Sequence, residues 1–142
     1  MKTDLGRINV TLDPVTVPSY KDLVDSVSQG KSDLFLYTWS SILGDAEIFL
    51  APIFGTGSPD NLTRYSNVQV DALLEQARTT TDASARATLY QRAQRLIIDD
   101  VPAIFLFHKT RASAYTTRLS GLELNVNAYP IDRYARIDLR SE

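Results

Sequence analysis

The sequence predicts an α/β fold that combines a strand–helix–strand unit, two packed helices and a tail rich in short strands. Three observations predict it. An alternating apolar pattern at residues 8–12 is followed by helix signals and then by a nearly continuous apolar run at 33–39. Two amphipathic helical patterns follow between residues 67 and 100. After them, short apolar segments typical of strands continue to the end of the chain.

The first of these regions predicts a βαβ unit. Residues Ile8 to Leu12 alternate apolar and polar side chains, which is the period of a half-buried strand. A Ser-x-x-Asp start signal and a glycine stop predict a helix from about Tyr20 to Gln29. The apolar composition of Asp33 to Trp39 is typical of a strand covered on both faces. We therefore expect Ile8–Leu12 and Leu34–Tyr37 to pair in parallel through a right-handed crossover.

The two best-marked helices are expected near Val68–Arg78 and Ala83–Asp99, after a helical turn and an irregular loop. Either Ser66 with Gln69, or Asn67 alone, can cap the first helix, and an aspartate before the second can cap that one. Apolar residues at helical spacing should form the contact between them. The predicted buried faces are Val70, Leu73, Leu74 and Ala77 on the first helix and Ala85, Leu89, Ala93, Leu96 and Ile97 on the second. The helices should pack through Leu73, Leu74, Leu89, Ala93, Leu96 and Ile97.

The residues after the second helix predict strands. Pro102 should end the helix, and Ala103–Phe107 is short, apolar and typical of a buried strand. Further short strands are expected in the tail, at Arg111–Thr116, Leu122–Val126 and Tyr134–Leu139.

The segment from Tyr65 to Leu106 has an order that resembles a known family. A stretch like "YSNPEVDALLEQA", a Thr- and Asp-rich linker, an Arg-containing helix like "RAxLYxxAQxII" and "DxPxIPLY" follow one another in the carboxy-terminal part of the family 5 (peptide, oligopeptide and nickel type) extracellular solute-binding proteins of ABC transporters. The matching residues are Tyr65, Ser66, Asn67, Val70, Asp71, Leu73, Leu74, Ala77, Arg86, Leu89, Tyr90, Ala93, Gln94, Ile98, Pro102, Ile104 and Leu106.

The resemblance implies the carboxy-terminal portion of a type II periplasmic-binding-protein-like fold. Residues 1–102 would form an α/β region of the second lobe, and residues 103–142 would form strands that return toward a first lobe missing from this fragment. The resemblance also implies a periplasmic or extracellular protein that captures a small solute and delivers it to the transmembrane subunits of an ABC permease. It implies no catalysis and no cofactor, and membrane association only through the permease or a distant lipid anchor.

Composition narrows the alternatives. A chain of 142 residues with 44% hydrophobic content can bury one core. A net charge of −2 gives no broad basic surface for nucleic acid. Without cysteine and with His108 as the single histidine, a catalytic or metal site has few candidate groups, and no nucleophile elbow accompanies that histidine. A stand-alone α/β protein-interaction module remains the alternative to a solute-binding protein.

A candidate ligand site follows the apolar run. Trp39, Ser40 and Ser41 lie where the predicted strand ends, and parallel α/β sheets bind ligands at the carboxyl ends of their strands. The resemblance implies the same, because the family carries "GWxxDYPDPxxFL" here, lining the ligand cleft. Tyr37 shares a strand face with Trp39, and Tyr20 aligns with a cleft-facing aromatic position of oligopeptide binders. The alternatives are a core role for Trp39 and a packing role for Tyr20.

Ile42 is the position at which the sequence departs from the peptide-binding pattern. Peptide-binding members have an aspartate here that pairs with the α-ammonium group of the peptide. An aliphatic side chain offers that ammonium no acceptor, so we expect selection by another part of the solute. The later acidic residues Asp45 and Glu47 are interpreted as loop or helix-start residues and not as substitutes for the missing carboxylate.

Overall fold

A computed structural model of the chain describes residues 2–41, 43–108, 114 and 116–120, together with the backbone of 138–139. The chain divides into two compact units, Met1–Leu36 and Tyr37–Glu142, and each is described by itself. The elements of the described residues are α1 (Lys2–Gly6), α2 (Tyr20–Ser28), α3 (Ala46–Phe54), α4 (Val68–Thr79), α5 (Ala83–Asp100), β1 (Leu119–Ser120) and β2 (Asp138–Leu139).

Helix α2 of the first unit confirms the helix predicted there. The Ser19 hydroxyl oxygen caps it by accepting a hydrogen bond from the backbone N–H of Asp22 at 3.2 Å. At the other end, Gly30 has a positive φ of 68°, which glycine adopts without steric cost. Val27 is the buried residue of this helix.

The predicted βαβ unit is not formed by the described residues of the first unit. Arg7 to Asn9 form a turn after α1, and the N–H of Ile8 donates to the carbonyl oxygen of Leu5 at 3.0 Å. Leu34 and Leu36 are 65% and 71% exposed, so the expected covered strand is wrong for this chain. The physical reason is that a strand needs a hydrogen-bonded neighbour and an apolar cover, and the two segments do not provide them for each other.

The core of the second unit lies among α3, α4 and α5. Its buried residues are Phe54, Val70, Leu73, Leu74, Ala77, Tyr90, Ala93 and Ile97. The four residues predicted to line α4 are therefore all confirmed. On α5, Ala93 and Ile97 are buried as predicted, and Tyr90, which the sequence analysis did not assign to the core, is buried with them. Leu89 and Leu96 are half-buried, and Ala85 is exposed, which corrects its prediction.

The helix ends show how the sequence fixes these boundaries. Asn67 caps α4, since its Oδ1 accepts from the N–H groups of Gln69 and Val70 at 2.9 and 3.3 Å. Asp82 caps α5 by accepting from the N–H of Ala85 at 2.7 Å. The last helical residue, Asp100, accepts from the Tyr65 hydroxyl at 2.6 Å and from the Asn67 amide at 2.7 Å. The end of α5 is thereby tied to the start of α4.

The segment after α5 differs from its prediction. Pro102 follows the end of the helix as expected, but Ala103–Phe107 is irregular and most of its apolar side chains are exposed, with Ile104 at 74%. Farther on, Leu119–Ser120 pairs antiparallel with Asp138–Leu139, so the last predicted tail strand forms in part. The strand predicted at 122–126 and most of the one predicted at 111–116 fall outside the described residues.

Candidate functional site

Trp39 lies in the segment before α3 and is held against that helix. Its indole Nε1–H donates to the backbone carbonyl oxygen of Ile48 at 2.7 Å. The Tyr37 ring lies beside it, with ring centroids 5.9 Å apart and planes inclined by 42°. Both side chains are half-buried, so each keeps part of its ring surface open. The structure thus brings together the two aromatic residues that the sequence assigned to one wall.

The neighbouring residues differ in what they can offer a ligand. Ser41 is 5% exposed, and its hydroxyl oxygen accepts from the N–H of Leu43 at 3.0 Å. It shapes the turn before α3, whereas Ser40 is exposed. Ile42 lies outside the described residues. The segment is not the end of a strand here, so its position as a ligand site no longer follows from sheet topology.

Tyr20 belongs to the other compact unit. It is the first residue of α2 and is 53% exposed. Its predicted role at the solute site, like that of the other candidate residues, stays a prediction.

Arg86 organises the polar part of the second unit, a role that the sequence analysis did not predict although Arg86 is one of the residues that match the family pattern. Its guanidinium makes two hydrogen bonds to the Asp45 carboxylate, at 2.7 and 2.9 Å. It also donates to Glu47 Oε2 at 3.2 Å and to the Tyr90 hydroxyl at 2.9 Å. Nε–H of Arg86 donates to the carbonyl oxygen of Ala77 in the last turn of α4, at 3.2 Å. One side chain therefore links α5 to both α3 and α4.

The charges of this cluster stabilise one another. Hydrogen bonds from Arg86, and then from the N–H of Glu47, hold the pKa of Asp45 below its usual value. The Asp45 carboxylate raises the already high pKa of Arg86 further. Burial, and then the nearby Glu47 carboxylate, raises the pKa of Tyr90. The guanidinium carbon also lies 4.8 Å from the centroid of the Tyr90 ring, within the range of a cation–π contact.

Part of this cluster could be predicted. Asp45 caps α3, with its Oδ1 accepting from the N–H of Glu47 at 2.8 Å, so the helix-start interpretation is confirmed. Arg86 and Tyr90 are four residues apart on one helix, which places both on the same face. The ion pair between Arg86 and Asp45 spans 41 residues of sequence, and no local pattern encodes it.

The loop between α3 and α4 is organised by Asn61, which is 7% exposed. Its amide nitrogen donates to the carbonyl oxygens of Gly55 and Tyr65, at 3.0 and 2.7 Å. Its Oδ1 accepts from the Thr63 hydroxyl at 3.0 Å and from the N–H of Tyr65 at 3.2 Å. The Asn-x-Thr sequence at 61–63 therefore closes the loop through the Asn61 side chain.

Other kinds of site find no support in the part of the chain that the structure describes. No group of three or more His, Asp and Glu side chains there is placed to hold a metal ion. His108 is exposed, on the irregular segment after Pro102. None of the described helices is both long and apolar enough to cross a membrane. An open groove between α4 and α5, lined by residues that include Gln76, Arg92 and Asp99, contains none of the predicted site residues.

Comparison with known proteins finds relatives that are named as binding proteins. No protein-family model matches the chain. It is 35% identical over 104 residues, 71% of its length, to the probable D,D-dipeptide-binding periplasmic protein DdpA of Escherichia coli K12. It is 30% identical over 83% of its length to heme-binding protein A of Haemophilus influenzae. It is 41% identical over 62% of its length to the glutathione-binding protein GsiB of Pectobacterium atrosepticum.

The matches cover only part of each relative. The chain spans 20%, 22% and 18% of the lengths of these three proteins. Among solved structures, HbpA2 from Haemophilus parasuis matches 99% of the chain with a TM-score of 0.78 and 24% sequence identity, over 27% of that chain. This likeness confirms the predicted fold class, although the strands expected at 8–12, 34–37 and 103–107 are not formed by the described residues.

Proposed function

We propose that this chain, which belongs to the family 5 extracellular solute-binding proteins of ABC importers, supplies part of the wall of a solute-binding cleft. The complete protein would capture a small solute outside the membrane, in the periplasm or at the cell surface, and deliver it to an ABC permease. It would catalyse no reaction. The observation that carries the proposal is the sequence likeness to relatives that are all named as binding proteins.

Tyr37 and Trp39 support this assignment at the level of the site. Two adjacent, half-buried aromatic rings offer flat surface on which the apolar or planar part of a solute can pack. The exposed hydroxyl of Ser40 lies next to them in sequence and can donate or accept a hydrogen bond. Closure of two lobes over the solute would then follow from tighter binding to the closed state than to the open one.

The class of solute is the finer part of the proposal. The relatives are named for D,D-dipeptide, heme and glutathione, so the fold accepts chemically different solutes. In this sequence Ile42 replaces the carboxylate that peptide-binding members offer to an α-ammonium group. Loss of one partner of a buried charge pair costs about 3–5 kcal/mol, or more than about a hundredfold in affinity. We therefore propose a peptide-like, opine-like or sugar-like solute that is not selected through a free α-ammonium group.

Isothermal titration calorimetry on the complete protein tests both the solute-binding role and the proposed class of solute. Unmodified dipeptides and their amino-terminally acetylated forms should bind with similar affinity, because no carboxylate at position 42 distinguishes them. An Ile42→Asp variant is the matched control, and it should gain affinity for the unmodified forms only. Sub-micromolar binding of unmodified peptides that is lost on acetylation would contradict the finer proposal. Failure of peptides, opines and sugars alike to bind would contradict the proposed solute classes, and failure of glutathione and heme as well would contradict the solute-binding role itself.

A further inference from the structure

We propose that Arg86 is a positioning residue for the solute site, which holds the start of α3 and, through α3, the indole of Trp39. The proposal rests on the function proposed above, since it assumes that Trp39 faces the solute. It adds a residue that lies outside the segment from Tyr37 to Ser41. All of the groups involved belong to the second compact unit.

A continuous path of short contacts connects the two side chains. The Arg86 guanidinium binds both oxygens of the Asp45 carboxylate, at 2.7 and 2.9 Å. The backbone carbonyl of Asp45 accepts from the N–H of Ile48 at 3.2 Å, which closes the first turn of α3. The carbonyl oxygen of Ile48 in turn accepts from Trp39 Nε1–H at 2.7 Å. Movement of Asp45 would therefore shift the acceptor that fixes the indole ring.

Arg86 is itself held by groups other than Asp45. Its guanidinium lies over the ring of Tyr90, which is 5% exposed, and Nε–H is bound to the Ala77 carbonyl oxygen. The Arg86 side chain is 26% exposed, so water competes only in part for its hydrogen bonds. A planar guanidinium that is stacked on a buried ring and bonded at both ends has little freedom to rotate. The Arg86 guanidinium can thus hold the start of α3 in a fixed position relative to α4 and α5.

The chemistry of the contact requires arginine. The two parallel hydrogen bonds to Asp45, the bond to Glu47 Oε2 and the bond to the Ala77 carbonyl use donors in the fixed fork of a guanidinium. A lysine ammonium is a single charge point and cannot reach these acceptors with the same geometry. Lysine should consequently keep the charge but lose part of the positioning.

Trp39 provides its own readout, because it is the single tryptophan of the sequence. Its fluorescence emission and its quenching by acrylamide report the surroundings of the indole in the 142-residue chain without any ligand. Arg86→Met should shift the emission to longer wavelength and make quenching easier, while circular dichroism shows that the helices remain. Arg86→Lys should give an intermediate shift. Unchanged emission in a folded Arg86→Met variant would overturn the proposal.

Two controls separate positioning from a general loss of stability. Arg78→Met removes another arginine ion pair, the one to Glu75 on the exposed surface of α4, and should leave the emission unchanged. Ile97→Val weakens the buried core slightly without touching the path to Trp39, and should also leave the native emission unchanged. An equal emission shift in either control would show that Trp39 responds to stability alone, and the proposal would fail.

Asp45→Asn covers the case in which Arg86→Met does not fold. Asparagine still caps α3 through its side-chain oxygen but lacks the charge that Arg86 binds. Its emission should shift in the same direction as in Arg86→Lys, and an unchanged spectrum would count against the proposal. The path to Trp39 and the position of Trp39 at the solute site are tested separately. If Arg86→Lys shifts the emission but leaves the solute affinity of the complete protein unchanged, Trp39 lies away from the solute. The path from Arg86 to Trp39 would still stand.

Discussion

Helices α3–α5 and the irregular segments at 34–36 and 103–107 both carry apolar side chains, but they bury them to different degrees. Val70 and Ile97 in the helices are almost completely buried, whereas Leu36 and Ile104 in the segments are 71% and 74% exposed. A helix satisfies its backbone hydrogen bonds within itself, so a pair of neighbouring helices needs only apolar contact to become a core. A strand must receive its hydrogen bonds from another segment. The described residues therefore form the helical core, but they do not form the strands predicted at 34–37 and 103–107.

The largest effect that this comparison predicts is in the helical core. Ile97→Ala should lower the free energy of unfolding by about 2–5 kcal/mol, because Ile97 is 1% exposed and its removal leaves a cavity. The adjacent Ile98→Ala is the matched control, since Ile98 is 49% exposed, and it should cost less than about 0.5 kcal/mol. Urea denaturation measures both. Equal losses for the two variants would place the core on the wrong face of α5.

A smaller effect is expected at the start of α5. Asp82→Ala removes the side-chain acceptor for the N–H of Ala85 and should cost about 1 kcal/mol, as for other helix caps. Asp82→Ser keeps an acceptor at the same position and should recover most of that loss. The same denaturation experiment compares them. If the alanine variant were as stable as the parent chain, the cap would contribute nothing and the start of α5 would be held by tertiary packing alone.

Acid should weaken the contact between α3 and α5. Arg86 and the N–H of Glu47 lower the pKa of Asp45 in the folded chain below its usual 3.8, while the unfolded chain keeps the usual value. The stabilisation is thus complete above about pH 4 and is lost as the pH falls through the lower, folded value. Asp45 and Glu47 are 35% and 34% exposed, so solvent reduces the effect below that of the cap.

Thermal unfolding at pH 7, pH 4 and pH 3 checks this expectation. Other carboxylates also bind protons in this range, including Asp100, whose pKa is lowered by the Tyr65 hydroxyl and then by the Asn67 amide. The informative quantity is therefore the difference between the parent chain and Asp45→Asn, which should shrink as the pH falls. A difference that is constant over the three pH values would show that the Asp45 charge does not stabilise the fold.

The smallest effect belongs to the irregular segment after α5. Ile104→Ala should change the free energy of unfolding of this 142-residue chain by less than about 0.5 kcal/mol, because the side chain is 74% exposed. A buried isoleucine would lose several times more, as expected for Ile97. A cost near 2 kcal/mol, measured by urea denaturation, would mean that Ile104 has an apolar cover in solution.

The sequence predicted the elements whose signals are local. Asn67, Asp82 and the apolar face of α4 are read from neighbouring residues, and the structure confirms them. On α5 the apolar spacing predicted Ala93 and Ile97 but missed Tyr90, whose ring is buried and whose hydroxyl accepts from Arg86. The strands predicted at 8–12 and 34–37 are not formed by the described residues. Apolar alternation indicates that a segment can pair, but it does not supply the neighbouring strand.

The candidate site shows the same division. The pairing of Tyr37 with Trp39 followed from alternation along an extended segment, and their rings do lie together. The hydrogen bond from Trp39 to Ile48 and the ion pair between Asp45 and Arg86 join residues that no short motif connects. The local pattern thus predicted that Tyr37 and Trp39 lie together, and only the fold shows the hydrogen bond to Ile48 and the ion pair of Asp45.

Hydrogen exchange followed by mass spectrometry on the 142-residue chain tests the difference between the two kinds of region most directly. We expect the backbone amides of α4 and α5 to exchange slowly and together, at the rate of global unfolding. The amides at 34–36 and 104–107 should exchange rapidly, because these residues lie outside the helices and strands. Slow exchange of these segments, equal to that of α4 and α5, would show that they are paired in solution and would contradict the account.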